Sequence, residues 1–369
     1  MRKTMFVAVP IIIAILTLLV IEGVASIANW KNADRSLVYG IYAAMRGSQA
    51  RTDPRPPGLP MASRDEIEAL IPDMVAAGVG MGNVPYSDLV TDRAAINAVG
   101  VDGCLAPKPG IDKITTYIRS GDYDRYDPPS LFHDRQASLS AALQGFIDAY
   151  AVRKARFTSN ERGERTTLPK VVAARKVLVV GDSVAVGSMI DDAETIASHM
   201  QRRTQTAQFV NLGVNGASAE DIVCRLSKSG ERYKGQIVGL IYVYCENDFD
   251  SGRPYGTPEA VIAWLKAFAE ENRIPSVTVV YAPYIYNIVP SITRFAGSRG
   301  ALHGVYGEEA ARLRSEVEAA GFGYIDIGEI AQAEARRQGT DFAALSLFVD
   351  HVHLSNLGVT LLANALPGF

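Results

Sequence analysis

Five residues in the second half of the chain carry the groups that acyl-transfer chemistry requires. Ser183 closes a Gly-Asp-Ser triplet and could attack a carbonyl, and His353 could take the serine proton. Asp350 lies three residues before His353, so one turn lets its carboxylate fix one imidazole nitrogen while the other acts as a base. The Gly216 N–H and the Asn247 amide could stabilise an oxyanion. This pattern predicts a serine nucleophile with a Ser-His-Asp set.

Each of these residues also has an ordinary structural interpretation. Ser183 could be a helix N-cap, Gly216 a turn glycine and Asn247 a turn cap. His351 and His353 could form a metal-binding pair, although no further ligand set with convincing spacing accompanies them. Taken singly, the structural interpretations are favoured. Only the order of the residues along the chain favours catalysis.

The elements that must position these residues follow one pattern after Val171. Short β-branched runs alternate with helical periodicity, which is typical of a parallel sheet. The predicted strands cover residues 177–180, 209–211, 237–244, 277–281 and 324–327. The predicted helices cover residues 188–203, 219–229, 258–272, 308–320 and 357–366. Residues 171–369 are therefore predicted to form an α/β domain with a doubly wound, flavodoxin-like parallel sheet and helices on both faces, with its site at the carboxyl ends of the strands.

The same residues occur in four blocks, and with them the chain resembles the SGNH, or GDSL, hydrolase family over about residues 175–369. The blocks are Gly181-Asp182-Ser183 with Gly187, Asn211-Leu212-Gly213-Val214-Asn215-Gly216, Asn247-Asp248, and Asp350-His351-Val352-His353 with Leu354-Ser355 and Gly358. The third block departs from the usual Gly-x-Asn-Asp because Cys245 replaces the glycine.

The resemblance implies a role for each matching residue. Ser183 would attack an ester carbonyl, His353 would be general base and then general acid, and Asp350 would orient it. The N–H groups of Ser183 and Gly216 and the amide of Asn247 would form the oxyanion hole. No cofactor is implied. Asp182 and Asp248 are interpreted as structural residues that brace their loops.

An aromatic loop follows the fourth predicted strand, where side chains can reach the same edge of the sheet. Tyr284 and Tyr286 lie in it and are candidates for shaping an acyl or sugar pocket. A packed surface loop is an equally good interpretation.

The amino terminus predicts a membrane anchor over residues 1–30. Arg2 and Lys3 precede an uncharged run from Met5 to Ile21, and the apolar character continues to Trp30. This length can cross a bilayer, and the basic start keeps the terminus inside and exports the rest. A cleaved signal peptide, with Ser26-Ile27-Ala28 at the cleavage site, is the alternative.

Residues 31–170 form a separate region of unknown role that is predicted to be mostly helical or irregular. Helices are expected over residues 36–46, 64–77 and 136–156, the second beginning at a Ser63/Glu66 capping box. A proline-rich linker is expected over residues 52–60 and a polar boundary over residues 157–170.

The composition limits the kinds of partner that the chain can be expected to bind. The net charge of −3 gives no electrostatic reason to expect nucleic acid. Cys224 and Cys245 lie on elements predicted to be neighbours, and export would permit a disulfide, although two buried thiols are the preferred interpretation. The remaining cysteine is Cys104.

Three functions are compatible with these features. The first is a membrane-anchored esterase outside the cytoplasm that acts on a small-molecule, lipid or glycan ester, for example an O-acetylated glycan. The second is an acyltransferase that uses the same residues, with a sugar hydroxyl in place of water. The third is a non-catalytic binding protein of the cell envelope.

Overall fold

The computed structural model describes residues 60–82, 92–100, 102–120, 129–249, 252–288, 307–340 and 342–369. The predicted anchor over residues 1–30, the helix over residues 36–46 and nearly all of the proline-rich linker lie outside these residues. Among the described residues, no helix is long and apolar enough to cross a bilayer.

A five-stranded parallel sheet organises the second half of the chain. Its strands are β7 (Lys176–Gly181), β8 (Gln208–Asn211), β9 (Ile237–Cys245), β10 (Val277–Ala282) and β11 (Gly323–Asp326). They lie in the order β11-β10-β9-β7-β8, and every pair is parallel. Counted within this sheet, that order is 2-1-3-4-5, so the predicted doubly wound, flavodoxin-like sheet is confirmed.

Helices cover both faces because successive side chains of a strand point to opposite sides. Val177 and Val179 of β7 face one core, whereas Leu178 and Val180 face the other. The first core is closed by the helices Ile196–Arg203, Ile327–Gln338 and Asn356–Ala365. The second is closed by the helices Ala219–Arg232, Pro258–Asn272 and Gly307–Ala319. Shorter helices are Ser183–Val186, Ile285–Ile288 and Phe342–Leu345.

The first half of the described chain corrects the prediction of a mostly helical or irregular region. It contains an antiparallel sheet of β1 (Gly80–Gly82), β5 (Ser130–Asp134), β4 (Asp112–Ile118) and β6 (Ala151–Thr158), in that spatial order. A separate ribbon pairs β2 (Asn97–Val99) with β3 (Leu105–Pro107). The accompanying helices are Arg64–Ala69, Ile71–Ala76, Asp92–Ile96 and Ala141–Tyr150.

Two predicted helices were wrong in extent. The helix predicted over residues 136–156 ends at Tyr150, because from Ala151 onward the chain pairs with β4 and its side chains alternate across the sheet. The helix predicted over residues 188–203 is too long: a short helix, Ser183–Val186, comes before this span, and within the span only Ile196–Arg203 is α-helical. Gly187, with φ of 75°, ends the first of these in a left-handed conformation. The capping box of Ser63 and Glu66 is confirmed.

Of the two buried thiols predicted, that of Cys245 is confirmed and that of Cys224 is wrong. Cys224 forms a disulfide with Cys104, 120 residues away, and Cys245 is a buried thiol. Cys245 belongs to the core on the face of the sheet opposite to the helix that carries Cys224. The sheet therefore separates the two cysteines that the sequence placed side by side.

Candidate active site

Ser183 begins the short helix that follows β7, and Asp182 caps that helix. The Val184 N–H donates to Asp182 Oδ1 at 2.9 Å, so the N-cap is the aspartate and not the serine. The Ser183 hydroxyl donates to Asp182 Oδ2 at 3.3 Å, and the serine is only 7% exposed. Burial raises the pKa of the Asp182 carboxyl, although the Val184 N–H, the charge of His353 and the Asn247 amide act in the opposite direction.

Asp350 and His353 form a tightly held pair. His353 Nδ1 lies 2.6 Å from Asp350 Oδ2, and the other carboxylate oxygen accepts the backbone N–H groups of Val352 and His353 at 2.9 and 2.7 Å. Burial alone would raise the pKa of the Asp350 carboxyl, but the neighbouring His353 and His351 hold it below its ordinary value. Asp350 is therefore an anion that fixes the orientation of the imidazole.

The loop after β8 comes very close to the Ser183 helix. A Cβ atom on Gly213 would lie 2.2 Å from the Val186 nitrogen, so only glycine permits this contact. Three residues later, Gly216 is exposed and has φ of 64°, in the left-handed region that favours glycine. Among the described residues, neither the Ser183 N–H nor the Gly216 N–H donates to another group. Both donors are thus available to a ligand.

Asn247 lies in a 3-10 turn, Glu246–Asp248, that continues β9. Its side chain is exposed and lies near enough to the Asp182 carboxylate to lower the pKa of that group, which places it beside the Ser183 loop. Asp248 braces the same turn by accepting the Cys245 N–H at 3.1 Å. Burial and the charge of Asp182 raise the pKa of the Asp248 carboxyl well above its ordinary value. Both effects favour the neutral form of the Asp248 carboxyl.

The aromatic loop after β10 lies against the histidine block. The Tyr284 ring centroid is 5.4 Å from that of His351, and the Ile285 N–H donates to the His351 carbonyl at 2.8 Å. The side chain of Tyr286 lies outside the described residues.

Sequence reasoning missed Glu246, which anchors this loop. Its carboxylate accepts the Tyr281 hydroxyl at 2.7 Å, the Tyr284 N–H at 3.0 Å and the Asn287 amide at 2.7 Å. Burial raises the pKa of Glu246, whereas these donors lower it. Its position directly before Asn247 at a strand end was the available signal.

The structure thus brings the sequence-predicted residues to the carboxyl edge of one sheet. Ser183 follows β7, Gly216 follows β8, Asn247 follows β9 and Tyr284 follows β10. The histidine block is tied to this edge because the loop after β10 donates the Ile285 N–H to the His351 carbonyl. The arrangement offers a hydroxyl, an oriented imidazole and several N–H donors within one region.

Neither a protein-family model nor a curated protein matches the chain. Similar solved structures include a lipolytic protein of the G-D-S-L family from Veillonella parvula, at 16% identity and a TM-score of 0.38, covering 52% of this chain and 95% of the other. An acetylxylan esterase from Geobacillus stearothermophilus has 16% identity and a TM-score of 0.38, covering 53% and 94%. A carbohydrate acetylesterase family member from Sinorhizobium meliloti has 16% identity and a TM-score of 0.35, covering 52% and 94%. Because these identities and TM-scores are low, we base the proposed function on the geometry of the site alone.

Proposed function

We propose that this chain is a serine esterase that forms an acyl-enzyme on Ser183. The observation that carries the proposal is the 2.6 Å contact between His353 Nδ1 and the buried Asp350 carboxylate, at the sheet edge where Ser183 is located. An imidazole held in this way presents its Nε2 atom as a base. A buried serine beside unpaired N–H donors is suited to a reaction that develops an oxyanion.

The proposed reaction has two stages, acylation of Ser183 and hydrolysis of the acyl-enzyme. The Ser183 hydroxyl turns from Asp182 towards His353, gives its proton to Nε2 and attacks the ester carbonyl. The N–H groups of Ser183 and Gly216 and the Asn247 amide hold the oxyanion, and His353 then protonates the departing alkoxide. Water, activated by the same imidazole, hydrolyses the acyl-Ser183 ester and releases the acid.

The proposed location is outside the cytoplasm, with residues 1–30 as a membrane anchor. The Cys104–Cys224 disulfide supports it, because such bonds persist in oxidising compartments. An O-acylated glycan is a substrate class that fits this location. A fusion of residues 1–60 to a reporter that is active only after export tests the location, and an inactive reporter would reject it.

The test of the reaction is covalent labelling combined with an ester panel. Wild-type protein should react with a fluorophosphonate probe and hydrolyse at least one of a series of aryl acetates, longer acyl esters and peracetylated sugars. Ser183→Ala should abolish both signals. Ser227→Ala is the matched control, since this hydroxyl donates to the Val223 carbonyl one turn earlier in its own helix.

The products separate the remaining possibilities. Release of free acid supports the hydrolase, whereas transfer of the acyl group to an added sugar identifies an acyltransferase that uses the same residues. Wild-type protein that neither reacts with the probe nor turns over any ester would reject the enzymatic proposal in favour of a binding protein.

A further inference from the structure

The antiparallel half of the molecule reaches the candidate active site through one buried side chain. Asn97 begins β2 and is 6% exposed. Its Nδ2 donates to the Asn215 carbonyl at 2.6 Å, across 118 residues of sequence. Asn215 directly precedes Gly216, whose N–H is one of the proposed oxyanion donors. The contact therefore acts on the peptide group that contains this donor.

The hydrogen bond to the Asn215 carbonyl orients the Gly216 N–H, because both groups belong to one peptide unit. The Asn215 carbonyl and the Gly216 N–H belong to one planar, trans unit, in which C=O and N–H point in opposite directions. A donor that holds the carbonyl on one side fixes the direction of the N–H on the other. The same hydrogen bond polarises the peptide and strengthens its N–H as a donor. Since Gly216 has φ of 64°, this peptide is not held by regular secondary structure.

The surroundings make Asn97 a rigid support. Asn215 is also held from the nucleophile side, because the Ser188 hydroxyl donates to its Oδ1 at 3.2 Å. The β2–β3 ribbon is tied by the Cys104–Cys224 disulfide to the helix Ala219–Arg232, which begins three residues after Gly216.

The carbonyl oxygen of the Asn97 side chain lowers the stability of the fold. Its Oδ1 is buried without a hydrogen-bond partner among the described residues. Leaving a polar atom in this state lowers stability, and such local costs concentrate at functional sites.

We infer that Asn97 is a positioning residue for the Gly216 N–H, so that the antiparallel half of the chain completes the oxyanion hole of the parallel half. This inference rests on the proposed function. It assigns Asn97 an effect on the transition state, where charge develops on the oxyanion, and little effect on the binding of the uncharged ester.

Asn97→Asp keeps the shape of the side chain and, assayed at a pH at which its carboxyl is ionised, cannot donate to the carbonyl. Asn97→Leu removes the contact without adding charge. Loss of a full oxyanion donor costs about 10²–10³ in kcat, so misalignment of one donor should lower kcat by about ten- to hundredfold. KM should stay within about twofold because ground-state binding is unchanged. Affinity for a boronic acid, which forms a tetrahedral adduct with serine, should fall by the same factor as kcat/KM.

Tyr233→Phe is the matched control. It also removes one buried contact between the two halves, the Tyr233 hydroxyl to Glu164 Oε1 at 2.6 Å. Tyr233 follows the far end of the helix Ala219–Arg232, about 20 Å from the Gly216 loop. This variant should lose some thermal stability and keep its kcat and its boronic acid affinity.

The outcomes separate the two proposals. If wild-type protein hydrolyses esters and folded Asn97→Asp and Asn97→Leu keep their kcat and boronic acid affinity, the inference is overturned while the esterase stands. An equal loss of kcat in Tyr233→Phe would also overturn it, because general loosening would then explain the effect. If either variant fails to fold, Asn97→Ser, which is too short to reach the carbonyl, should show the same loss. A wild-type protein without ester turnover would overturn both proposals.

Discussion

Replacing Arg165 with methionine should destabilise the protein more than any single surface change. The Arg165 side chain is completely buried, and its guanidinium uses all five N–H donors. Nε lies 3.1 Å from Asp192 Oδ1. The remaining four donors contact backbone carbonyls, those of Val186 at 2.9 Å, Ile190 at 2.6 Å and Arg156 at 3.2 Å, and that of Gly187.

The expected magnitude follows from what the substitution leaves behind. Methionine fills much of the volume but leaves Asp192, 4% exposed, as a buried carboxylate without its cation. Breaking such a buried pair costs about 3–5 kcal/mol, a large fraction of a typical stability of about 5–15 kcal/mol. Val186 and Gly187 end the helix that begins at Ser183, so the loss should also reduce esterase activity in the folded fraction.

The assay is urea unfolding of Arg165→Met, Asp192→Asn and the double variant, with Arg314→Met as the control. The double variant should regain part of the lost stability, since the amide that Asp192→Asn introduces would be neutral and could still accept the Thr158 N–H, which donates to Asp192 Oδ1 at 3.0 Å in this structure. Arg314 contacts Glu318 and Glu329 with half of its side chain exposed, so its loss should cost under about 1 kcal/mol. A loss below about 1 kcal/mol in Arg165→Met would refute the reasoning from burial.

Two further predictions concern the carboxylates of the site. Asp350→Asn should lower kcat by about 10⁴-fold, because an amide that still accepts the two N–H groups turns its NH₂ towards His353 and imposes the wrong tautomer. Steady-state kinetics on a variant with unchanged thermal unfolding measure this loss, and a near-normal kcat would contradict the prediction. Asp248→Asn should stabilise the protein at pH 8 and change nothing near pH 4. The raised pKa of Asp248 means that the folded state holds more protons above about pH 4, so this residue lowers stability as pH rises, and the amide removes that dependence. Thermal unfolding across pH measures it, and equal destabilisation at every pH would contradict it.

The parallel half was predictable because its signals are local. Asp350 and His353 are three residues apart, and their contact needs only one turn of chain. The central strand β9 is a continuous apolar run, as burial on both faces requires, and the helix Pro258–Asn272 has its predicted bounds. Parallel strands bring their carboxyl ends to one edge, so the chain order of the strand-end residues predicted that they lie at the same edge of the sheet.

The antiparallel half was not predictable because its structure depends on distant partners. Residues 151–156 fit an amphipathic helix in isolation, and only pairing with β4 makes them a strand. Arg165 lies in a polar, charged stretch that resembles a linker, yet five acceptors from other segments bury it. Cys104 gave no local sign of its partner 120 residues later. These contacts are long-range, and a single sequence does not encode them as a pattern.

Arg165 and Asn97 give the first half of the chain a common physical role. Buried backbone carbonyls need hydrogen-bond donors, and the loops at the candidate site receive part of theirs from side chains outside the parallel sheet. Arg165 donates to three carbonyls at the end of the Ser183 helix and in the loop that follows it, those of Val186, Gly187 and Ile190. The Asn215 carbonyl is bound by Asn97 in the same manner. One of these loops follows the Ser183 helix and the other carries Gly216, so buried donors from the antiparallel half hold two loops of the candidate site. We therefore regard this half as part of the scaffold of the candidate site and not as an independent appendage.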